Sequence, residues 1–291
     1  MIRIAGTSFD FHAESPDCPL SLPLAYQPFV TECTHDTVTG GSYRILHPDH
    51  PRLPALTAPP FWSNEIWRMG PVGTNGIGIE IFNVMASLWV PVAELAGDFS
   101  SGRIQPFHGR RATPGPHALN YPYDQAILIN RLLHRQVTVV HGAGIVHNGR
   151  GFVFFGPSGI GKTTISRLWV KRGARLLNDD RVAVYRSEQG TWHVAGTPWH
   201  GEEPIVSTER APLAAVVRLR QAATPSVRQL SPVEGLSEIL GCALIPFFSR
   251  EGIERAMDLF GAMIETVPVV ELSFRPDQAS LDYFLQRMEV R

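Results

Sequence analysis

Apolar positions are spaced differently in the two parts of the chain. Up to about residue 120 they form short or alternating runs, at 1–4, 29–31, 42–46, 77–82 and 87–92, separated by Pro-, Gly- and Thr-rich gaps. A period of two between turn signals predicts a β-rich lobe with long loops. From 122 to 135 the spacing turns helical, with Pro122 and Asp124 at the start. Residues 137–140 are β-branched and strand-like; His141-Gly142-Ala143-Gly144 interrupts them and Ile145-Val146 resumes. Asn148-Gly149 then predicts a tight hairpin into the apolar run 152–155, so these two strands should pair antiparallel. A helix from Thr163 closing at Gly173 is followed by a short strand at 174–177, a second hairpin at 182–185 and 192–194, and a polar loop at 196–204. A strand at 214–219, helices at 232–244 and 251–266, a strand at 267–274 and a helix at 277–288 complete the pattern. The expected fold is α/β with a mixed sheet, divided into a β-rich N-terminal lobe, 1–120, and a second domain, 121–291.

The candidate chemistry gathers around one junction of these elements. Gly156, Pro157, Ser158, Gly159, Ile160, Gly161, Lys162 and Thr163 fit the phosphate-binding pattern G-x-x-x-x-G-K-[ST], and Thr164 extends it. An apolar strand precedes the loop and an amphipathic helix follows it, as the chemistry requires. The glycines let several backbone N–H groups converge on phosphate oxygens, and the helix N-terminus faces the same anion. Lys162 would reach the β- and γ-phosphates and Thr163 would ligate Mg²⁺. The chain uses arginine almost throughout: of 26 Lys and Arg residues only Lys162 and Lys171 are lysine. A lysine therefore stands where a compact point charge is wanted.

Composition narrows the reading further. With 44% hydrophobic and 18% charged residues, a 291-residue chain is an ordinary globular one with ample core. A formal net charge of −1 argues against a nucleic-acid partner. Cys18, Cys33 and Cys242 are odd in number and far apart, which indicates neither a zinc site nor a disulfide framework and predicts reduced thiols in a cytoplasmic protein. Neither a signal peptide nor a membrane-spanning run is expected. In the first lobe, Phe61-Trp62 read as packing aromatics, and His108, Arg110 and Arg111 form a small basic cluster that is either solvated surface or an anion contact.

Asp179-Asp180 follows the loop helix at the end of the next strand. Adjacent carboxylates repel, and a divalent cation on one with a proton accepted by the other gives them a common task. In an extended segment neighbouring side chains point to opposite sides, so one should face the metal beside Thr163 and the other the incoming hydroxyl.

These motifs, taken in order, resemble a known family. His141-Gly142, the hairpin, the loop 156–163 and Asp179-Asp180-Arg181-Val182 are arranged as in HPr kinase/phosphorylase. The loop and the acidic pair are also similar to those of ATP-dependent phosphoenolpyruvate carboxykinase, where Thr and Ser follow the loop much as Thr164 and Ser166 do here. The stretch Thr197-Pro198-Trp199-His200-Gly201 resembles one in HPr-kinase-like proteins of peptide-modification gene clusters, among them kinases of lasso-peptide precursors. The resemblance covers about residues 120–200, and the first 120 residues do not look like the N-terminal domain of HPr kinase.

The resemblance implies a P-loop kinase core of the HPr kinase/phosphoenolpyruvate carboxykinase type, using ATP and Mg²⁺. It assigns the nucleotide phosphates to Lys162 and the loop backbone, Mg²⁺ to Thr163 and Asp180, and the role of general base to Asp179. His141 corresponds to a histidine near the transferred phosphate, His200 to a substrate contact, and Arg210 to an arginine that supplies positive charge to the transition state. The implied acceptor is a Ser or Thr hydroxyl of a protein or peptide. The residues leave open a small-molecule hydroxyl acceptor, or a nucleotide-binding sensor without turnover, and also whether the chain forms a homo-oligomer.

Overall fold

The computed structural model describes residues 1–18, 20–32, 39–106 and 117–289. Cys33 and the basic cluster His108, Arg110 and Arg111 lie outside the described residues. The chain is mixed α/β and divides into two compact units, Met1–Arg135 with Pro246–Ser249, and Gln136–Ile245 with Arg250–Arg291.

The first unit contains β1 (Ile2–Ile4), β2 (Thr7–Ala13), β3 (Gly41–Ile45), β4 (Trp62–Ser63), β5 (Trp67–Val72), β6 (Gly76–Asn83), β7 (Leu88–Ala96), β8 (Ser101–Ile104) and helix α1 (Tyr123–His134). Its strands form one sheet in the order β1-β2-β3-β8-β7-β6-β5-β4. The pairs β2–β3 and β3–β8 are parallel and the others antiparallel. Pro91 would deprive a regular ladder of a donor; it sits opposite Glu80, where the register shifts between Ile79 and Glu80. The run 29–31, expected as a strand, instead ends a 3-10 turn at Leu24–Phe29, and Val30 makes a single bridge to Ile2. Pro23 and Pro28 favour the turn because each fixes φ and lacks an N–H for a ladder. Polar contacts within the unit tie α1 down: the Tyr26 hydroxyl donates to Asp124 at 2.6 Å, and Arg131 reaches the Gly40 carbonyl and the Asp98 carboxylate. Residues Pro246–Ser249 return to this unit, with the Phe248 ring stacked 4.6 Å from that of Phe61.

The second unit contains β9 (Val137–His147), β10 (Arg150–Phe155), α2 (Lys162–Lys171), β11 (Arg175–Asn178), β12 (Arg181–Arg186), β13 (Trp192–Ala195), β14 (Arg210–Gln221), β15 (Ser226–Gln229), α3 (Pro232–Leu240), α4 (Arg250–Ile264), β16 (Val269–Phe274) and α5 (Gln278–Glu289). The hairpin expected at Asn148-Gly149 is present. Both residues have positive φ, 50° and 73°, and Gly151–Phe155 runs antiparallel to Val146–Gly142. On its other edge β10 is parallel to β14. Since β14 pairs with β13, β13 with β12 and β12 with β9, five strands close into a ring, and β16 and β15 extend from β14.

Alternation along β10 sends its side chains into two cores. Val153 and Phe155 pack with Ile239 of α3 and with Phe260 and Met263 of α4. Phe152 and Phe154 pack with Ile165 and Trp169 of α2 and with Leu281, Phe284 and Met288 of α5. Helix α3 stops at Leu240, short of the expected 244. Gly241 is a poor helix residue, and the main chain beyond it is taken by β9: His141 N–H donates to the Cys242 carbonyl at 2.7 Å, and Leu244 N–H to the Val139 carbonyl at 2.8 Å. Among the described residues no helix is long and apolar enough to cross a membrane.

Candidate active site

The loop between β10 and α2 has the backbone that its sequence demands. Gly156, Gly159 and Gly161 have φ of 149°, 78° and 109°, a region that residues with a side chain rarely adopt. Gly161 also needs to be small because a Cβ there would stand 3.1 Å from the Phe274 ring. A left-handed glycine begins α2 with no side-chain cap, so the first N–H groups of the helix are left to face the loop. Lys162 is buried, and its ammonium lies inside the loop, 3.0 Å from the Gly156 carbonyl and 3.3 Å from that of Pro157. Burial lowers its pKa, against the opposing pull of Cys242 and Asp180. An anionic ligand would supply the charge partner that two carbonyl dipoles do not. Thr163 is half-buried one residue into the helix, and Thr164 is exposed.

The acidic pair is shaped by a residue that the motif search passed over. Asn178, fully buried at the end of β11, accepts from the backbone N–H of Asp180 at 2.8 Å and of Arg181 at 3.0 Å, and donates to the Thr197 carbonyl at 3.0 Å. The Thr197 hydroxyl returns a bond to the Arg181 carbonyl at 2.7 Å. Asx turns of this kind are the local signal that could have marked Asn178.

This frame turns the two carboxylates apart. Asp180 faces His141, whose Nδ1 lies 3.0 Å from its Oδ1, and its other oxygen contacts Arg181. Burial would raise the Asp180 pKa, but the His141 hydrogen bond, the Arg181 charge and the charges of His141 and Lys162 outweigh it and hold the carboxyl low. Asp179, 4% exposed, accepts Gly201 N–H at 2.8 Å on one oxygen and Glu203 N–H at 3.0 Å on the other. Neither Asp179 nor Asp180 lies in a strand, so the divergence comes from the bend that Asn178 imposes and not from the extended run that was expected. Each oxygen thus accepts one main-chain N–H, and a carboxylate oxygen has two lone pairs.

The structure thus gathers the loop 156–163, Lys162, His141 and Asp180, with Asp179 and the 199–203 loop beside them. His200 is exposed on that loop, its Nδ1 3.1 Å from the Gly201 carbonyl. Arg210 is not part of the gathering. It begins β14 opposite Ala195, whereas the loop leaves β10 level with Arg218. Eight residues of strand, about 26 Å at ~3.3 Å each, separate those two arginines. The arginine at the loop end is Arg218, whose Nε is 2.8 Å from Glu238 and which also contacts Glu271. Its strand register, which a linear motif does not contain, is what placed it there.

Cys242 is the other residue that sequence reasoning left idle. Burial raises its thiol pKa, while the nearby Lys162 charge and the Gly156 N–H pull it down.

Among the described residues no group of three or more His, Cys, Asp or Glu could hold a metal ion unaided. A donor set of one carboxylate and one hydroxyl suits Mg²⁺, which is commonly held by one or two carboxylates together with substrate phosphates.

A strand–glycine loop–helix with a buried lysine and a His–Asp pair thus come together in a mixed α/β protein. No family model matches the chain. It is 48% identical over 54 residues to an HPr kinase/phosphorylase of Streptococcus thermophilus, covering 19% of this chain and 18% of that protein. It is 44% identical over 61 residues to one of Enterococcus faecalis, covering 21% and 19%. The matched stretch therefore spans about a fifth of the length of these curated relatives, and over it the chain is HPr kinase-like. Among solved structures, the Hpr(Ser) kinase/phosphatase from Coxiella burnetii is matched with a TM-score of 0.32 and 13% identity, over 52% of this chain and 96% of that one.

Proposed function

We propose that the protein is an Mg²⁺- and ATP-dependent kinase with a P-loop core, transferring the γ-phosphoryl group to a Ser or Thr hydroxyl of a protein or peptide in the cytoplasm. The observation that carries this reading is Lys162. It is a buried ammonium held by two main-chain carbonyls, within a glycine loop and at the uncapped start of a helix. In this reading the loop N–H groups and Lys162 bind the β- and γ-phosphates and fix the γ-phosphorus for in-line attack. Thr163 and Asp180 would hold Mg²⁺, which when bound neutralises charge on the phosphates. The acceptor oxygen forms the new P–O bond, the bond to the bridging oxygen breaks, and ADP departs with that electron pair. The hydroxyl proton passes to Asp179, the carboxylate of the pair that is not assigned to the ion. His141 stands at hydrogen-bond distance from Asp180 and orients its carboxylate.

The test is transfer of label from γ-labelled ATP with Mg²⁺ to Ser- and Thr-bearing peptides and proteins, with small alcohols in a separate arm and Lys162→Ala as control. Label on a peptide or protein supports the reading. Label only on small alcohols moves the acceptor to metabolites. The absence of both transfer and nucleotide binding in the wild type removes the kinase reading.

A further inference from the structure

We propose that the nucleoside end of the nucleotide lies over the C-terminal ends of β14 and β16, where Gln221 and Arg275 form a subsite for the ribose and a purine base. This rests on the kinase reading above and places the half of the ligand that the loop does not hold. The two neighbours of β10 differ. On one side β9 brings Gly142 level with Phe155, and His141, with its partner Asp180, follows one position nearer the loop. On the other side β14 brings Arg218 level with Phe155, and β16 brings Glu271 level with Arg218. Both strands are parallel in this chain of neighbours, and both run three residues further, to Gln221 and Phe274, about 10 Å at ~3.3 Å each. They therefore rise beside the loop as a wall. Gln221 Nε2 donates to the Ile160 carbonyl at 3.3 Å. Phe274 is buried against the loop's last glycine: a Cβ on Gly161 would stand 3.1 Å from its ring and 4.0 Å from the Cβ of the exposed Thr164.

A nucleotide has its phosphates at one end. In the kinase reading the γ-phosphate faces Asp180 and His141, on the β9 side of the loop. The nucleoside then leaves the loop on the opposite side, past Thr164 and over β14 and β16. The carboxyl ends of parallel strands are where open α/β sheets receive their ligands. The side chains at this end suit a flat, uncharged ring. Arg275, the first residue past β16, is 59% exposed, and its Nε and Nη2 each lie 3.1 Å from one oxygen of Asp277. The other oxygen of Asp277 accepts the Ser280 N–H and hydroxyl, both at 2.9 Å. The carboxylate thus fixes the guanidinium plane and offsets its charge, which favours stacking on a base over capture of a further phosphate. Gln221 adds an amide carbonyl that can accept from a ribose hydroxyl or an exocyclic amine.

The experiment measures, by calorimetry with Mg²⁺, the affinities of ADP and of inorganic pyrophosphate for the wild type, Arg275→Ala, Arg275→Lys, Gln221→Ala and Lys162→Ala. Pyrophosphate makes the phosphate contacts alone, so it also reports whether the loop of each variant is intact. The subsite predicts that Arg275→Ala weakens ADP about tenfold and Gln221→Ala about threefold, while both keep pyrophosphate affinity within about twofold. Arg275→Lys keeps the charge without the plane and should resemble Arg275→Ala. Lys162→Ala should weaken both ligands. Unchanged ADP affinity in Arg275→Ala, or an equal loss for ADP and pyrophosphate, overturns the subsite. Full recovery in Arg275→Lys also overturns it, because charge and not a stacking plane would then be what the ligand reads. A wild type that binds neither ligand strikes the kinase reading itself.

Discussion

Each unit of the molecule holds a buried charge, and the two are treated in opposite ways. In the first unit Glu80 is 1% exposed. One oxygen accepts the Leu56 N–H at 3.0 Å and the other meets Arg68, whose guanidinium also lies 4.5 Å from the centre of the Trp89 ring. Every strong valence is met from within the unit, and the pair sits at the bulge that accommodates Pro91. In the second unit Lys162 is buried and, among the described residues, no carboxylate is hydrogen-bonded to its ammonium; two carbonyls hold it. A closed pair fixes a fold. A charge whose burial is only partly compensated, at a helix start and inside a glycine loop, is what the proposed function gives to the nucleotide phosphates.

The comparison breaks first, and by the largest amount, at Glu80. Glu80→Ala should destabilise the first unit by about 3 kcal/mol, since removing one partner strands the other. Chemical denaturation reads this directly, and a change under about 1 kcal/mol would mean that the pair is not structural. Next comes Lys162→Ala. It should remove the stabilisation that nucleotide gives the wild type, about 2.7 kcal/mol at a ligand concentration a hundredfold above Kd. Thermal unfolding with and without Mg²⁺–ADP measures it. A full shift in the variant would show that the loop lysine is not the ligand's partner.

Asp180 sharpens the contrast through pH. Its folded pKa lies below the unfolded carboxylate value of about 3.9. Its contribution to stability is therefore present above about pH 4 and is lost as pH falls through the lower folded value. Asp180→Asn should flatten that part of the acid unfolding curve. The smallest effect expected is at the start of α3, where Ser231 and Glu234 form a capping box. The Ser231 backbone N–H, Arg228 and the Ser231 hydroxyl hold the Glu234 pKa down to about 2. Ser231→Ala should cost about 1 kcal/mol at neutral pH. In the wild type the contribution of Glu234 is present above about pH 4.5 and fades as pH falls toward 2.

What was legible in the sequence was local. Asn148-Gly149 specified its hairpin because few residue pairs accept positive φ twice in succession. The loop glycines announced themselves by the same steric argument, and the helical periods placed α2, α4 and α5 within a residue or two at most ends. What was hidden depends on partners distant in the chain. Arg210 and Arg218 lie on one strand, and only the parallel register of β14 with β10 decides which stands level with the start of the loop. The main-chain partners of Asp179 are N–H groups 22 and 24 residues later. The early end of α3 followed from the need of β9 for main-chain partners at His141 and Val139.

The central claim is that the ammonium of Lys162 and the glycine loop receive nucleotide phosphates with Mg²⁺. Calorimetric titration of the wild type and Lys162→Ala with ADP, in the presence and absence of Mg²⁺, tests it most directly. The account predicts saturable binding to the wild type that Mg²⁺ strengthens, and a loss of at least about tenfold in affinity, some 1.4 kcal/mol, in the variant. Equal affinity of the two proteins for Mg²⁺–ADP, or no binding to the wild type at millimolar nucleotide, would contradict it.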